Sequence, residues 1–373
     1  MLNLFDPDTG SPLSYREANL LCSAEGKLWP VIEGIPWLRT NREEMRLEAT
    51  SLIEAGRIED ATLTLLRDQD DFCPTPPPSH EDVRAMLNDR EATFRSSMEA
   101  LAYGRVASYF AHRWSAPTYL SGLALMAMVA EPGVPLIEVA CGTGQLIAEA
   151  AKRGFATYAS DVVFSKCWLG KKFISSETSF ICCDAVSGSP PLRIEGQGSV
   201  FCHDAFYFFP DKQASLDGMR LLADGGRVGI GHAHTDTDPT GIAGTPLPIA
   251  DYKALSPGAS FFSDDVLTDA IIGNHQPEEG AEEADAVSFV EGGAPLDALR
   301  FALPAAAALR RNPLLREREG TYGPHWPDEG FAAEYAGAGY LSGEGTLPAD
   351  GALLSQHHHA ARHRLLLDLP ERW

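Results

Sequence analysis

The sequence predicts an α/β protein: an open, mostly parallel sheet core with a small N-terminal β unit, helical insertions and a C-terminal cap. Three observations predict it. Residues 137–146, IEVACGTGQL, pass from a short apolar run through an acid and two closely spaced glycines into an amphipathic helix pattern. That is how a strand turns into a helix around a nucleotide-like ligand. Further strand-like segments ending in acids follow in order, at Asp161 and Asp184. Finally, 373 residues with 44% hydrophobic side chains are enough for a core of roughly 200 residues plus accessory units.

Residues 1–40 read as a small β unit. Over 41–71 two amphipathic helices are expected, with Leu47, Leu52 and Ile53 on the first, Ile58, Ala61, Leu65 and Leu66 on the second, and Gly56 stopping the chain between them. Residues 73–78, CPTPPP, cannot continue a helix and form a stiff linker. Helices resume near Glu81 and run with breaks to Val129, which completes a helical region over 41–130. The core then spans 131–303. After the glycine turn its second strand, 155–160, ends at Asp161, and its third, 179–183, ends at Asp184. A fourth begins at 200–202, and 221–228 carries a helix end, a Gly-Gly turn and a fifth strand. Residues 233–262, rich in Thr, Asp, Gly and Pro, form a long insertion at the edge where ligands sit in open α/β sheets. Ser263-Asp264-Asp265 starts a helix, and 286–290 and 298–303 are the remaining strands. Residues 304–373 form the C-terminal cap.

The glycines Gly142 and Gly144 let backbone N–H groups approach a ligand. A dinucleotide turn, G-x-G-x-x-G, would need a third glycine where Ile147 stands. Glu138, Ala140, Gly142 and Gly144 better resemble the first motif of the class I S-adenosylmethionine-dependent methyltransferases, E/D-x-G-x-G-x-G, with Ala140 replacing the first glycine. The resemblance implies a Rossmann-like, seven-stranded methyltransferase core with S-adenosylmethionine as cofactor. It further implies that Asp161 accepts the ribose hydroxyls, that Asp184 and Ala185 meet the adenine, and that His203 packs on the cofactor. A second, shorter likeness covers 20–38, LLCSAEGKLWPVIEGIPWL, which is similar to the end of the Trm112-like zinc ribbons. The four thiolates of that family correspond here to Asp6, Thr9, Cys22 and Glu25. One thiolate cannot replace four. The likeness therefore implies a metal-free unit held by Trp29, Ile32, Ile35 and Trp37.

Methyl transfer is an in-line displacement, so the protein aligns a nucleophile and removes its proton where it has one. Candidates for that work are His203 and Tyr207 after the fourth strand and His232 and His234 after the fifth. His232, His234 and Asp236 also share a face in an extended segment, the pattern of a 2-His-1-carboxylate site. The general-base reading is preferred and no metal is expected. Arg113, Trp114, Tyr119 and Phe206 are the candidate substrate-binding residues, as pocket wall or carboxylate anchor. Two other functions stay open: a non-catalytic S-adenosylmethionine-binding or partner-activating subunit, and an NAD-dependent oxidoreductase.

Thirty basic against 52 acidic side chains, a net charge of −22, argue against nucleic acid; a small-molecule substrate is expected. No basic and apolar leader opens the chain, and the longest apolar run, 123–130, is too short to cross a bilayer. Seven scattered cysteines suit reduced thiols. A cytoplasmic protein is expected, of undetermined oligomeric state.

Overall fold

Residues 136–139 and 199–203 are buried along their whole length, as parallel strands covered by helices on both faces must be. The structure is a computed structural model that describes residues 2–69, 73, 75–184, 190–237 and 244–373. Its central sheet has eleven strands. Four come from the N-terminal unit: β1 (Ser14–Glu17), β2 (Leu20–Cys22), β3 (Leu28–Ile32) and β4 (Ile35–Leu38). The others are β5 (Leu136–Val139), β6 (Thr157–Asp161), β7 (Ser179–Cys183), β8 (Ser199–His203), β9 (Val228–His234), β10 (Ser260–Ser263) and β11 (Ala286–Glu291). Their order is β10-β11-β9-β8-β5-β6-β7-β4-β3-β2-β1. Pairing is parallel from β9 across to β4 and antiparallel at both flanks.

The first 40 residues are thus continuous with the main sheet, because β4 lies parallel against β7 with Trp37 opposite Cys182 and Leu38 opposite Cys183. Trp29, Ile32, Ile35 and Trp37 are fully buried in this unit. Asp6 is buried too, accepting backbone N–H groups from Asp8 and Thr9 and the Trp29 indole N–H.

Helices α1 (Glu43–Glu54) and α2 (Ile58–Leu66) form the expected hairpin around Gly56, whose φ is +74°. Leu47, expected on the inner face of α1, is instead exposed; the helix buries Ala49, Thr50 and Ile53, and the stem of Arg46. Then come α3 (Arg105–His112) and α4 (Pro117–Val129). Every residue of α4 after Pro117 is buried, the mark of a helix apolar all round that runs through the interior. Helix α5 (Gln145–Ala151) follows the glycine turn, and α6 (Lys212–Ala223) precedes β9. Ser263 caps α7 (Asp264–Gly273) by accepting the Val266 N–H, as its sequence predicts.

The expected strand over 298–303 is a short helix, α8 (Leu299–Ala302). The residue before it, Ala298, and its own Phe301 and Ala302 are buried at helical spacings of three and four, and Pro304 prevents further turns. The insertion folds partly into structure, with a helix over Ile249–Leu255; its residues 238–243 lie outside the described ones. Residues 304–373 carry an apolar cluster of their own around Leu309, Leu315, Leu341 and Leu366. Among the described residues no helix is long and apolar enough to cross a membrane.

Candidate functional site

Strand β5 lies between β6 and β8, so the connections that leave these strands diverge and open a crevice at their carboxyl ends. A cavity of about 810 Å³ fills it, within the range of small-molecule sites. Its wall takes Glu138 and the 140–142 turn from β5, Asp161 from β6, Asp184 from β7 and Asp204 from β8. Tyr109, Phe110 and Arg113, from α3 and the residue after it, close it on one side.

The turn is built by positive φ angles: +55° at Ala140, +57° at Gly142 and +75° at Gly144. A Cβ on Gly142 would fall 2.7 Å from Phe110 Cε1, and one on Gly144 would fall 2.9 Å from the Phe180 ring. Close approach and backbone conformation therefore both require glycine at these two positions. Ala140 holds the same region with a methyl group, at roughly 1–2 kcal/mol against a right-handed backbone. Ala140→Gly is expected to raise stability by about 0.5–1 kcal/mol, the greater unfolded-state freedom of glycine cancelling the rest. A higher urea midpoint at unchanged m-value would show it.

Glu138 accepts the Ile147 N–H at 3.1 Å. Burial pushes its carboxyl up to about 8, although that hydrogen bond pulls the other way. Its folded-state value lies above the ordinary 4.5, so its contribution to stability is complete below about pH 4.5 and is lost as pH rises through about 8. Glu138→Gln, which cannot ionise, is expected to gain on the wild type across that window. The gain should be on the order of 1–3 kcal/mol by pH 9 and near zero at pH 4.5, measured by denaturant unfolding of ligand-free protein.

Asp161 ties the tip of β6 to the glycine turn. Its Oδ2 accepts the Gly142 N–H and its Oδ1 the Val163 N–H, both at 2.9 Å, and Lys166 Nζ stands 3.6 Å away. A carboxylate offers about four acceptor positions, so about two remain for a ligand. Asp184 lines the cavity at the tip of β7; Ala185 lies outside the described residues.

The far wall is a buried ionic network. Asp204 Oδ2 accepts the Tyr109 hydroxyl at 2.5 Å and lies 3.1 Å from Arg113 Nη1, while Oδ1 accepts the Tyr207 hydroxyl at 3.0 Å. His232 Nε2 is 3.8 Å from Oδ1, and His232 Nδ1 is 2.6 Å from Asp264 Oδ2. Burial opposes charge on His232, yet Asp264 and Asp204 together push it up to about 9. Burial would raise Asp204, but His232 and Arg113 hold it down to about 2.

Of the residues singled out in the sequence, Glu138, Ala140, Gly142, Asp161, Asp184, His203, Tyr207 and Arg113 line this one cavity. Gly144 stands behind the turn, against Phe180. His203 has Nε2 2.6 Å from the Thr118 carbonyl, and its Nδ1 lies against Gly231, where a Cβ would come within 2.4 Å. Burial, with Arg113, lowers it to about 3, so it is neutral. Nε2 is thus engaged by a backbone carbonyl, while Nδ1 is buried against Gly231 without a hydrogen-bond partner. His232 and His234 stand behind Asp204, off the cavity wall. Trp114, Tyr119 and Phe206, expected at the substrate, are buried in the core away from the cavity. Tyr119 bonds the Gln145 carbonyl, and Phe206 packs on Phe209, Tyr252 and Phe289. The large apolar faces of these three rings are better satisfied there. Asp236 is exposed and takes no part in a cluster with the histidines.

Sequence reasoning missed Tyr109, Phe110 and Asp264. The four-residue spacing of Tyr109 and Arg113 on one helical face was a usable signal for the first. Nothing local marks Asp264, whose acidic neighbours at a helix start read as ordinary first-turn residues.

Fold and site together define a doubly wound α/β protein with a ligand cavity at the carboxyl ends of its parallel strands. No protein-family model and no curated protein sequence matches this chain. Solved structures do match. A TehB-like SAM-dependent methyltransferase from Corynebacterium glutamicum is 16% identical over 46% of this chain and 85% of that one, with a TM-score of 0.34. A complex of the Trm112 methyltransferase activator with a putative methyltransferase from Haloferax volcanii matches at 16% identity over 55% and 97%, with a TM-score of 0.38. Magnesium protoporphyrin IX methyltransferase from Synechocystis, with bound SAM, matches at 16% over 62% and 97%, with a TM-score of 0.31. Similarities this low transfer none of these proteins' activities to this chain.

Proposed function

We propose that this chain is a class I S-adenosylmethionine-dependent methyltransferase acting on a small molecule, with β5 to β11 as its seven-stranded core. One observation carries the reading: the left-handed turn at the tip of β5 is hydrogen-bonded to the Asp161 carboxylate at the tip of β6, on the wall of one cavity. A nucleoside whose hydroxyls take the remaining Asp161 acceptor positions would place its amino-acid arm along the turn. Ile147, in place of a third glycine, speaks against a dinucleotide.

S-adenosylmethionine, when bound, would supply an electrophilic methyl group to a lone pair of the acceptor. On this reading Asp204 and Tyr207, both on the cavity wall, would hold the proton-bearing atom of the acceptor, and Phe208 and Phe209 give that end of the cavity an aromatic wall. On the Trm112-like reading the first 40 residues are a unit that continues the sheet beyond β7 and supplies the cavity residue Arg39. All seven cysteines are free thiols, which supports a cytoplasmic protein.

Melting the protein with S-adenosylhomocysteine and with NADH separates the donors: a rise with the first alone is expected, and a rise with NADH alone would replace this reading with the oxidoreductase. Labelled S-adenosylmethionine offered with a metabolite extract then tests transfer; binding without any labelled product would identify a non-catalytic binder.

A further inference from the structure

Behind Asp204, β9 breaks its register with β11 between Ile230 and Ala233. His232 sits in that bulge with φ +48°, and Asp204, at the end of the neighbouring strand, has φ +59°. Left-handed backbone at residues other than glycine costs energy and gathers at functional sites. The bulge has a definite effect. It brings the His232 and His234 rings to 4.5 Å between centroids, inclined at 74°, where two residues of regular strand would separate their backbones by about 6.6 Å. One ligand atom from each of Asp204, His232 and His234 then lies within 4.8 Å of the others.

Two further features orient the cluster. His232 Nδ1 is bonded to Asp264, whose carboxylate is itself fixed by the Ser121 hydroxyl at 2.8 Å and the Ser288 hydroxyl at 2.9 Å. A carboxylate on one imidazole nitrogen is the arrangement that presents the other to a metal. That other nitrogen, Nε2, is buried without a hydrogen-bond partner and lies 3.8 Å from Asp204 Oδ1. Tyr109 and Arg113 hold the opposite oxygen of Asp204, Oδ2, while Oδ1 faces the histidine side and accepts the Tyr207 hydroxyl at 3.0 Å, which leaves it a further lone pair.

We propose that Asp204, His232 and His234 form a 2-His-1-carboxylate site for a first-row divalent cation behind the Asp204 wall of the cavity, beside Tyr207. Two imidazoles and one carboxylate suit Mn²⁺, Fe²⁺, Co²⁺ or Zn²⁺ better than Ca²⁺ or Mg²⁺, which prefer all-oxygen shells. Three protein ligands leave coordination positions open. The site does not depend on the methyl-transfer reading; on that reading a cation there would add positive charge behind Asp204, one of the residues of the cavity wall.

The test uses full-length protein carrying His359→Ala and His363→Ala, because those rings stack at 3.8 Å on the surface and would bind such cations themselves. After chelator treatment it is titrated with Co²⁺ alone. One equivalent is expected to bind, with the visible absorption of nitrogen–oxygen coordination and a higher melting temperature. Adding His234→Ala or Asp204→Asn should weaken binding by about tenfold or more while unfolding stays cooperative. Absence of the absorption, or unchanged affinity in both variants, overturns the site. Should neither variant fold, X-ray absorption of the unsubstituted cluster with Co²⁺ decides: two imidazole ligands are expected, and fewer refute it. Co²⁺ binding without any response to S-adenosylhomocysteine would remove the methyltransferase reading and leave the cation site standing.

Discussion

Asp161→Ala is expected to weaken S-adenosylhomocysteine binding by roughly 100-fold or more. Two hydrogen bonds from ribose hydroxyls to an ionised carboxylate contribute about 1.5–3 kcal/mol each, and tenfold in affinity is about 1.4 kcal/mol. The substitution also releases the Gly142 and Val163 N–H groups, both held at 2.9 Å, so the turn loses its attachment to β6. Asp161→Asn separates the two effects, since it keeps one acceptor oxygen and the side-chain volume. Calorimetry at a temperature where all three proteins are folded should rank the affinities wild type, Asn, Ala. Equal affinity in the wild type and the alanine variant would mean that the nucleoside is not held at this strand tip, and the proposed cofactor orientation would fall.

That residue was legible in the sequence because its position depends on local chain geometry. A strand of known length must end near Asp161, and the preceding strand must end at the glycines. Gly142 and Gly144 are legible for the same reason: their positive φ is a property of the turn. Residues whose placement depends on distant packing were not. Trp114 and Tyr119 looked like pocket aromatics, but α4 runs through the interior and carries Tyr119 with it, and Trp114, in the turn before α4, packs edge-on against Phe94. The edge at which β4 meets β7 joins residues about 145 apart in the chain, and no pattern in either strand specifies the other. His232, His234 and Asp236 showed the right residue types at the right spacing, yet the carboxylate beside the two histidines is Asp204, from another strand. The bulge at His232, which sets that geometry, arises from pairing with β11 and leaves no mark in the sequence of β9. Asp264 is reached only by folding α7 back over α4, where Ser121 meets it.

The largest loss of stability is expected from Arg113→Met. Arg113 is 5% exposed and stands 3.1 Å from Asp204, its guanidinium also bonded to the Thr118 hydroxyl and lying over the Tyr109 ring. Removing one member of a buried ion pair costs about 3–5 kcal/mol, because the partner's charge is left without compensation. Methionine fills most of the volume, so the loss should come from the charge and not from a cavity. Asp204→Asn in the same chain removes the stranded carboxylate and should recover a large part of it. In the chelator-treated single variant, His232 is the remaining counter-ion to Asp204 and Asp264. Its folded-state value, raised to about 9 from 6.5 in the wild type, means that its attraction is fully present below about pH 6.5 and is lost as pH rises through about 9. Arg113, charged throughout, still compensates the wild type there. The deficit of Arg113→Met, measured by denaturant unfolding, should therefore widen between pH 6.5 and pH 10. A deficit that stays constant with pH, or a double variant no more stable than the single one, would show that Arg113 acts through packing on Tyr109 and not through the charge of Asp204.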